Sequence, residues 1–248
     1  MTAITSPRRS ILIINPNTTK AMTDALKPLV DKLGFHQTHF EYFTAPAGVS
    51  SINNEHDAAI SAEECLPALK KQLDQYTGFL VCCYSQHPLV PQLRSEFASA
   101  GLSGNAVTGI FEASVATCLQ SIDIDTRFGI VSTGLQWSDI LTAAVEDLLG
   151  CRASSRYAGT ETTGLNADEL HSTPKAEVDR RMKEATKKLL GRGARAVCLG
   201  CAGMAGMEEV VRETCVETLG KDEGKRAKIV DGVVSGVVYL EGALRAGL

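Results

Sequence analysis

No apolar run in the chain approaches the roughly 20 residues that a membrane-crossing helix requires. The opening stretch MTAITSPRRSILIINPN carries two arginines, but the apolar core that follows is too short for a secretory leader. Basic charge is not in excess either: 25 Lys and Arg stand against 29 Asp and Glu, for a net charge of −4. That leaves no positive footprint for nucleic acid, whose binders need one. Low-complexity linkers are also missing. These absences describe a chain expected to be cytoplasmic, with a small molecule as its partner and neither nucleic acid nor a membrane.

What is present fits an ordinary globular enzyme: 248 residues, 44% hydrophobic and 22% charged, enough for one large domain or two small ones. Eight cysteines stand out, at Cys65, Cys82, Cys83, Cys118, Cys151, Cys198, Cys201 and Cys215. In a reducing compartment they are buried small hydrophobes, ligands or nucleophiles rather than disulfides.

Apolar runs alternate with amphipathic stretches. Strands are predicted at 10–15, 38–43, 78–83, 106–110, 127–132, 195–200 and about 227–230. Helices are predicted at 18–33, 57–76, 89–100, 112–121, 136–149, 174–191, 205–219 and 232–246. Alternation of this kind argues for parallel sheets in an α/β fold. Val233, Val234, Val237 and Val238 recur at helical spacing and are expected to pack, as is Trp137. The charged stretch 219–228 reads as a solvated turn.

Two strand-to-turn units look alike. SILIINPNTT ends an apolar strand in a polar turn and opens a helix, and RFGIVSTGLQ does the same. Each is followed at almost the same distance by a cysteine at a strand end: 72 residues separate Ile11 from Cys83, and 73 separate Phe128 from Cys201. Laid together without gaps, GFLVCCYS and AVCLGCAG place Cys82 on Gly200 and Cys83 on Cys201. Successive side chains on a strand face opposite sides, so Cys82 and Cys83 cannot share one environment. The repeat assigns Cys82 to packing and Cys83 to the strand end, where open parallel sheets place their sites.

The segments INPNTT (14–19), PAGVSSINNEHD (46–57), VCCYSQHPL (81–89), GIFEAS (109–114), FGIVSTGLQW (128–137), LGCAGM (199–204) and DGVVSGV (231–237) carry a resemblance. In their order they resemble the aspartate/glutamate racemase superfamily and, within it, the hydantoin racemase family, which takes in allantoin racemases and the yeast DCG1-like proteins. The resemblance implies two pseudo-twofold-related α/β halves, each with a mainly parallel four-stranded sheet flanked by helices, and an active site in the cleft between them. The first half is expected to comprise 1–108 plus 226–248, and the second 109–225. The resemblance further implies a racemase that needs no cofactor and uses two cysteines, which fall on Cys83 and Cys201. Its turn motif falls on Asn17 and Thr18, and Ile52 lies in a segment that borders the substrate. The run Tyr84, Ser85, Gln86, His87, Pro88 departs from the pattern of bacterial members and is closer to the fungal branch. Family members are often oligomeric, and a homo-oligomer is expected on that ground alone.

The chemistry explains why two cysteines suit this task. Racemisation takes a proton from one face of a stereocentre and returns one to the other, so two opposed groups avoid moving either base or intermediate. In a hydantoin or in allantoin the C5 hydrogen lies beside a ring carbonyl, which takes up the charge on deprotonation. Backbone donors at Asn17–Thr18 and Thr133–Gly134 are expected to face that oxygen, as in an oxyanion hole. Helix N-termini after each cysteine strand, at Ser85–Gln86 and Ala202–Gly203, are expected to favour thiolate. The candidate substrate-binding residues are therefore Asn17, Thr18, Ile52, Tyr84, Ser85, His87, Thr133, Gly134, Ala202 and Gly203, with Cys83 and Cys201 catalytic.

Competing readings exist for several of these. Cys198 and Cys201 form a CxxC, but a structural zinc site usually wants two such pairs, and no metal is expected. His87 is either a loop residue shaping the turn before Pro88 or a group that tunes the Cys83 thiolate. Asn17 also suits a helix cap. Cys65, Cys118, Cys151 and Cys215 read as packing residues. Two retained cysteines favour racemisation over the one-cysteine decarboxylases of the superfamily. Amino-acid racemisation, cis–trans isomerisation and a non-catalytic binding role stay open.

Overall fold

The computed structural model describes residues 9–248. The first eight residues of the expected 1–108 half, and part of the stretch weighed as a leader, lie outside the described residues. The chain runs β1 (Arg9–Asn15), α1 (Lys20–Asp31), β2 (Thr38–Thr44), α2 (Glu55–Lys70), β3 (Gly78–Val81), α3 (Leu89–Ala100), β4 (Ala106–Gly109) and α4 (Ile110–Ser121). It continues with β5 (Arg127–Ser132), α5 (Trp137–Leu149), β6 (Tyr157–Thr162), α6 (Glu169–Ser172), α7 (Lys175–Gly191), β7 (Ala194–Leu199) and a short 3-10 turn, Ala202–Met204. The last elements are α8 (Glu208–Leu219), α9 (Lys221–Arg226), β8 (Lys228–Asp231) and α10 (Gly232–Ala246).

Two four-stranded sheets result, ordered β2-β1-β3-β4 and β6-β5-β7-β8, and every pairing is parallel. Parallel strands covered by helices on both faces are apolar throughout. All four residues of β3 are buried, and so are Phe128 to Ser132 of β5. The two sheets share one strand order, and their registers match as well. Ile14 pairs with Val81 in the first sheet and Val131 with Leu199 in the second. The Cys82 amide donates to the Ile14 carbonyl at 2.8 Å, and the Gly200 amide donates to the Val131 carbonyl at 2.7 Å. The Ala45 amide reaches the Asn15 carbonyl at 3.1 Å, and Thr163 reaches Ser132 at 2.9 Å. The ungapped alignment of Cys83 on Cys201 is thus also the alignment of the hydrogen bonds.

The structure differs from the sequence reading in several places. The stretch 219–228, read as a solvated turn, holds helix α9 and the first residue of β8, and β3 stops at Val81 rather than at 83. Strand β6 was not expected, because YAGTET is polar, sits at a sheet edge with one side partly wet, and carries Gly159 at φ +107°. The segment 226–248, expected with the first half, is divided. Strand β8 bonds to β7 in the second sheet, while α10 crosses over to lie against α1, α4, β3 and β4. Helix α4 makes the reciprocal crossing and touches β7 and β8. The helices after β4 and β8 therefore form the seam between halves, with Val233 and Val237 buried in it and Val238 half exposed. Among the described residues no helix is long and apolar enough to cross a membrane.

Candidate active site

Both sheets point their carboxyl ends into one cavity of about 420 Å³. Its walls come from the turn after β1, one face of α1, the loop 50–52, the ends of β3 and β7, Thr133, Trp137 and the segment 167–168.

The turn after β1 is held from within. Asn15 Nδ2 lies 3.0 Å from Asn17 Oδ1, 3.1 Å from the Thr19 carbonyl and 3.0 Å from Thr23 Oγ1. Asn17 Oδ1 accepts the Thr19 amide at 2.9 Å, the Asx arrangement that lets an asparagine open a helix. The Asn17 amide donates to Asn15 Oδ1 at 3.3 Å, and the Thr18 amide donates to the Val49 carbonyl at 3.0 Å. Thr18 Oγ1 donates to that same carbonyl at 3.3 Å, and Ser61 Oγ bonds the Pro16 carbonyl. The expected backbone oxyanion donors at Asn17–Thr18 are therefore already spent, that of Asn17 within the β1 turn and that of Thr18 in fastening the loop after β2. Thr18 itself does not line the cavity. Asn17 does, with its side-chain Nδ2 directed at the Met22 thioether at 3.3 Å.

Cys83 and Cys201 line the same cavity from opposite halves, each half-buried. The buried Cys82, expected only to pack, borders it too, because β3 ends at Val81 and the strand alternation does not extend to the cysteines. Cys83 Sγ lies 3.5 Å from Ser85 Oγ. Helix α3 starts only at Leu89, so the expected helix N-terminus directly after Cys83 is replaced by a tight loop and a hydroxyl. Cys201 does have backbone help: its Sγ accepts the Gly203 amide at 3.3 Å, capping the 3-10 turn. Burial pushes the Cys83 thiol up to about 12, opposed by the Ser85 hydrogen bond and reinforced by Cys201 and Glu112. Burial pushes Cys201 up to about 11, with the Gly203 and Met204 amides pulling the other way. The small shift expected of a free thiol is exceeded in both cases.

The remaining sequence candidates divide. Ile52, Tyr84, Thr133, Ala202 and Gly203 line the cavity; Ser85, His87 and Gly134 do not. Tyr84 turns its hydroxyl into the seam between halves, 2.9 Å from Ser114 Oγ and 2.8 Å from Cys198 Sγ. That contact also removes Cys198 from any CxxC pairing with Cys201; all eight cysteines are free. His87 is 1% exposed, its Nδ1 accepts the Leu89 amide at 3.3 Å, and burial lowers its pKa to about 4. It is a neutral, loop-shaping residue rather than a cation beside Cys83. Gly134 is crowded instead of open: a Cβ there would stand 2.6 Å from Asn166 Oδ1 and 2.6 Å from Gln136 Oε1. Cys65, Cys118 and Cys215 are buried as expected, whereas Cys151 is exposed just past the glycine that stops α5. Among the described residues no cluster of three or more His, Cys, Asp or Glu is placed to hold a metal ion.

Sequence reasoning missed the apolar wall made by Met22, Ala25 and Leu26, and the rim at Ala167 and Asp168. The first had a signal, since these residues share one face of the helix that opens after the β1 turn. The second had none, because no element was assigned to 150–173. Trp137 packs in the core as expected and also borders the cavity. Among the described residues the wall contains no lysine, arginine or histidine, and Asp168 is its one carboxylate.

Residues 11–240 match the family model described as Asp/Glu/hydantoin racemase. An uncharacterised protein of Schizosaccharomyces pombe is 34% identical over 240 residues, which is 96% of this chain and 93% of that protein. A hydantoin racemase of a Pseudomonas species is 27% identical over 233 residues, 93% of this chain and 84% of that one. Among solved structures, allantoin racemase from Klebsiella pneumoniae shares the fold with a TM-score of 0.77 at 24% identity, covering 97% of this chain and 89% of its own.

Proposed function

The chain belongs to the Asp/Glu/hydantoin racemase family, and from that premise we propose that it racemises 5-substituted hydantoins or allantoin without a cofactor, Cys83 and Cys201 exchanging the C5 proton. The observation that carries this reading is the cavity itself: Cys83 and Cys201 from equivalent positions of opposed halves, with Cys82 beside the first, on a wall that holds no cationic side chain among the described residues. A free amino acid brings an α-carboxylate that must lose its water on entering, and a wall without a cation does not offset that cost. A hydantoin or allantoin brings a neutral ring, which a largely apolar pocket with a few polar groups accepts.

The reaction needs one thiolate and one thiol. The thiolate removes the C5 hydrogen from one face, and the C5–H electron pair moves into the ring to place charge on the adjacent carbonyl oxygen. The opposite thiol then delivers its proton to the other face of C5. The product is the mirror-image hydantoin, and the two sulfurs have exchanged protonation states. Burial makes each thiolate scarce at neutral pH but strongly basic when formed. Asn17 Nδ2, whose partner among the described residues is a thioether, and Thr133 are the groups proposed to hold the ring's polar edge. Met22, Ala25, Leu26 and Trp137 form the apolar side against which the ring or its substituent lies.

The test presents separate enantiomers of allantoin and of 5-substituted hydantoins in deuterated water. Loss of optical rotation with deuterium entering at C5 is the expected result, with aspartate and glutamate inert. Cys83→Ala and Cys201→Ala should each abolish racemisation; normal turnover by both variants would overturn the two-cysteine assignment.

A further inference from the structure

Gln136 stands at the N-terminal edge of α5 and reaches across the mouth of the cleft. Its Nε2 donates to the Asn53 main-chain carbonyl at 3.0 Å and lies 3.4 Å from Asn166 Oδ1. Asn53 follows the lining residues of the first half's loop, and Asn166 precedes the lining pair Ala167–Asp168 of the second half's. One amide group therefore joins two loops that approach the cavity from different halves.

The two loops are not equally anchored. The first is tied to the β1 turn by the Thr18 bonds to Val49, by Thr19 Oγ1 on the Ser50 carbonyl at 2.7 Å, and by the Asn53 amide on Asp57 at 2.9 Å. The second runs from Gly164, at φ +70°, through the four-residue α6 to Pro174. Leu165 and Leu170 root its base in the second core, and among the described hydrogen bonds the link from its tip at Asn166–Asp168 to the first half runs through Gln136. The crowding over Gly134 belongs to the same arrangement. Only a residue without a Cβ leaves room for Gln136 and Asn166 to meet there.

We propose that Gln136 is a positioning residue that clasps the two loops, sets the width of the cavity mouth and thereby retains the bound molecule. Its chemistry matches: a carboxamide nitrogen offers two N–H donors, and both of its neighbours here are oxygen acceptors. A carboxylate of the same length would set an acceptor against two acceptors. The proposal rests on the cleft being the substrate site, and so on the racemase reading above.

The experiment compares wild type, Gln136→Ala and Gln136→Glu by hydrogen–deuterium exchange and by steady-state kinetics on the hydantoin that wild type turns over. Loss of one such bond corresponds to about a fivefold faster local opening, so amides of 165–170 should exchange about fivefold faster in both variants. Amides of β5 and β7 should be unchanged. KM is expected to rise about fivefold with kcat within about twofold of wild type. Unchanged exchange at 165–170 in both variants would overturn the clasp, and this holds even if wild type racemises nothing. Faster exchange with an unchanged KM would overturn its role in retention. A failure of the racemase reading shows separately, as absent turnover in wild type.

Discussion

A small neutral thiol reagent such as methyl methanethiosulfonate, which caps a thiolate as a mixed disulfide, should modify Cys201 faster than Cys83 by about threefold at pH 8, and the factor follows from the surroundings of the two sulfurs. Both are buried in the same cavity, so desolvation raises both. Cys201 has two amides pulling its thiolate back into range; Cys83 has a single hydroxyl, and faces Cys201 and the buried Glu112 carboxyl. The resulting positions are about 12 for Cys83 and about 11 for Cys201. Below both values a one-unit gap makes the Cys201 thiolate about tenfold more abundant. The thiolate of higher pKa is the better nucleophile, with a Brønsted slope near 0.45, which returns about threefold to Cys83. The net preference is about threefold for Cys201.

Peptide mass spectrometry over a time course separates the two sites, and the exposed Cys151 reports reagent quality in the same sample. Both cavity rates should climb about tenfold per pH unit from pH 6 to 9, since the reactive form is the thiolate and both values lie above that window. Racemisation should rise with pH over the same range for the same reason. Ser85→Ala, which removes the one group favouring the Cys83 thiolate, should widen the gap. Equal rates, faster labelling of Cys83, or rates flat with pH would each refute the reasoning.

Three further substitutions probe the frame around the site. Gly200→Ala places a Cβ 2.6 Å from Ile130 Cγ2 and 2.8 Å from the Val131 carbonyl oxygen, and the latter is main chain in a central strand. A cost of about 2–3 kcal/mol follows, or a Tm lower by about 4–12 °C in calorimetry; an unchanged Tm would contradict the crowding. His87 stays neutral in the folded chain down to about 4, whereas an unfolded histidine takes its proton near 6.5. Its stabilising contribution is thus complete above pH 6.5 and is lost as pH falls towards 4, reaching about 2 kcal/mol by pH 5. Urea denaturation should show that loss in wild type and not in His87→Leu, and parallel pH profiles would exclude the assignment. Tyr84→Phe removes the hydroxyl shared by Ser114 and Cys198 across the seam, at a cost of about 1–2 kcal/mol in the same assay.

The residues legible in the sequence are those fixed by local periodicity. A strand alternates its faces every residue, and aligning GFLVCC with AVCLGC paired Cys83 with Cys201. But β3 ends at Val81, so the alternation stops short of the cysteines, and Cys82 borders the cavity beside Cys83. The same logic placed seven of the eight strands. It failed at β6, where an edge position lets threonine, glutamate and glycine stand in for the apolar alternation that marks a strand. With β6 unseen, the segment behind it had no place in the fold, and Ala167, Asp168 and Asn166 were lost with it. Thr18 and Gly134 show a second kind of miss. Both sit at the right turns, but the Thr18 amide is spent on a carbonyl 31 residues away, at Val49, and Gly134 is covered by the side chains of Gln136 and Asn166.

The duplication makes this division physical rather than accidental. Where the halves must act alike, at the sulfurs and the hydrogen bonds behind them, equivalent residues keep equivalent positions. Where they support the site from behind, they diverge. The space that holds the Cys82 side chain in the first half is closed in the second by Ile130, Val131 and Ser132, so only glycine fits at 200. The Cys83 loop closes on a hydroxyl, and the Cys201 loop closes on an amide. Those supporting differences, and not the thiols, make the two faces of the cavity chemically unequal. In a two-base racemase built on this frame both sulfurs would rest as thiols, and the thiolate that forms more readily would be that of Cys201, with Cys83 keeping its proton.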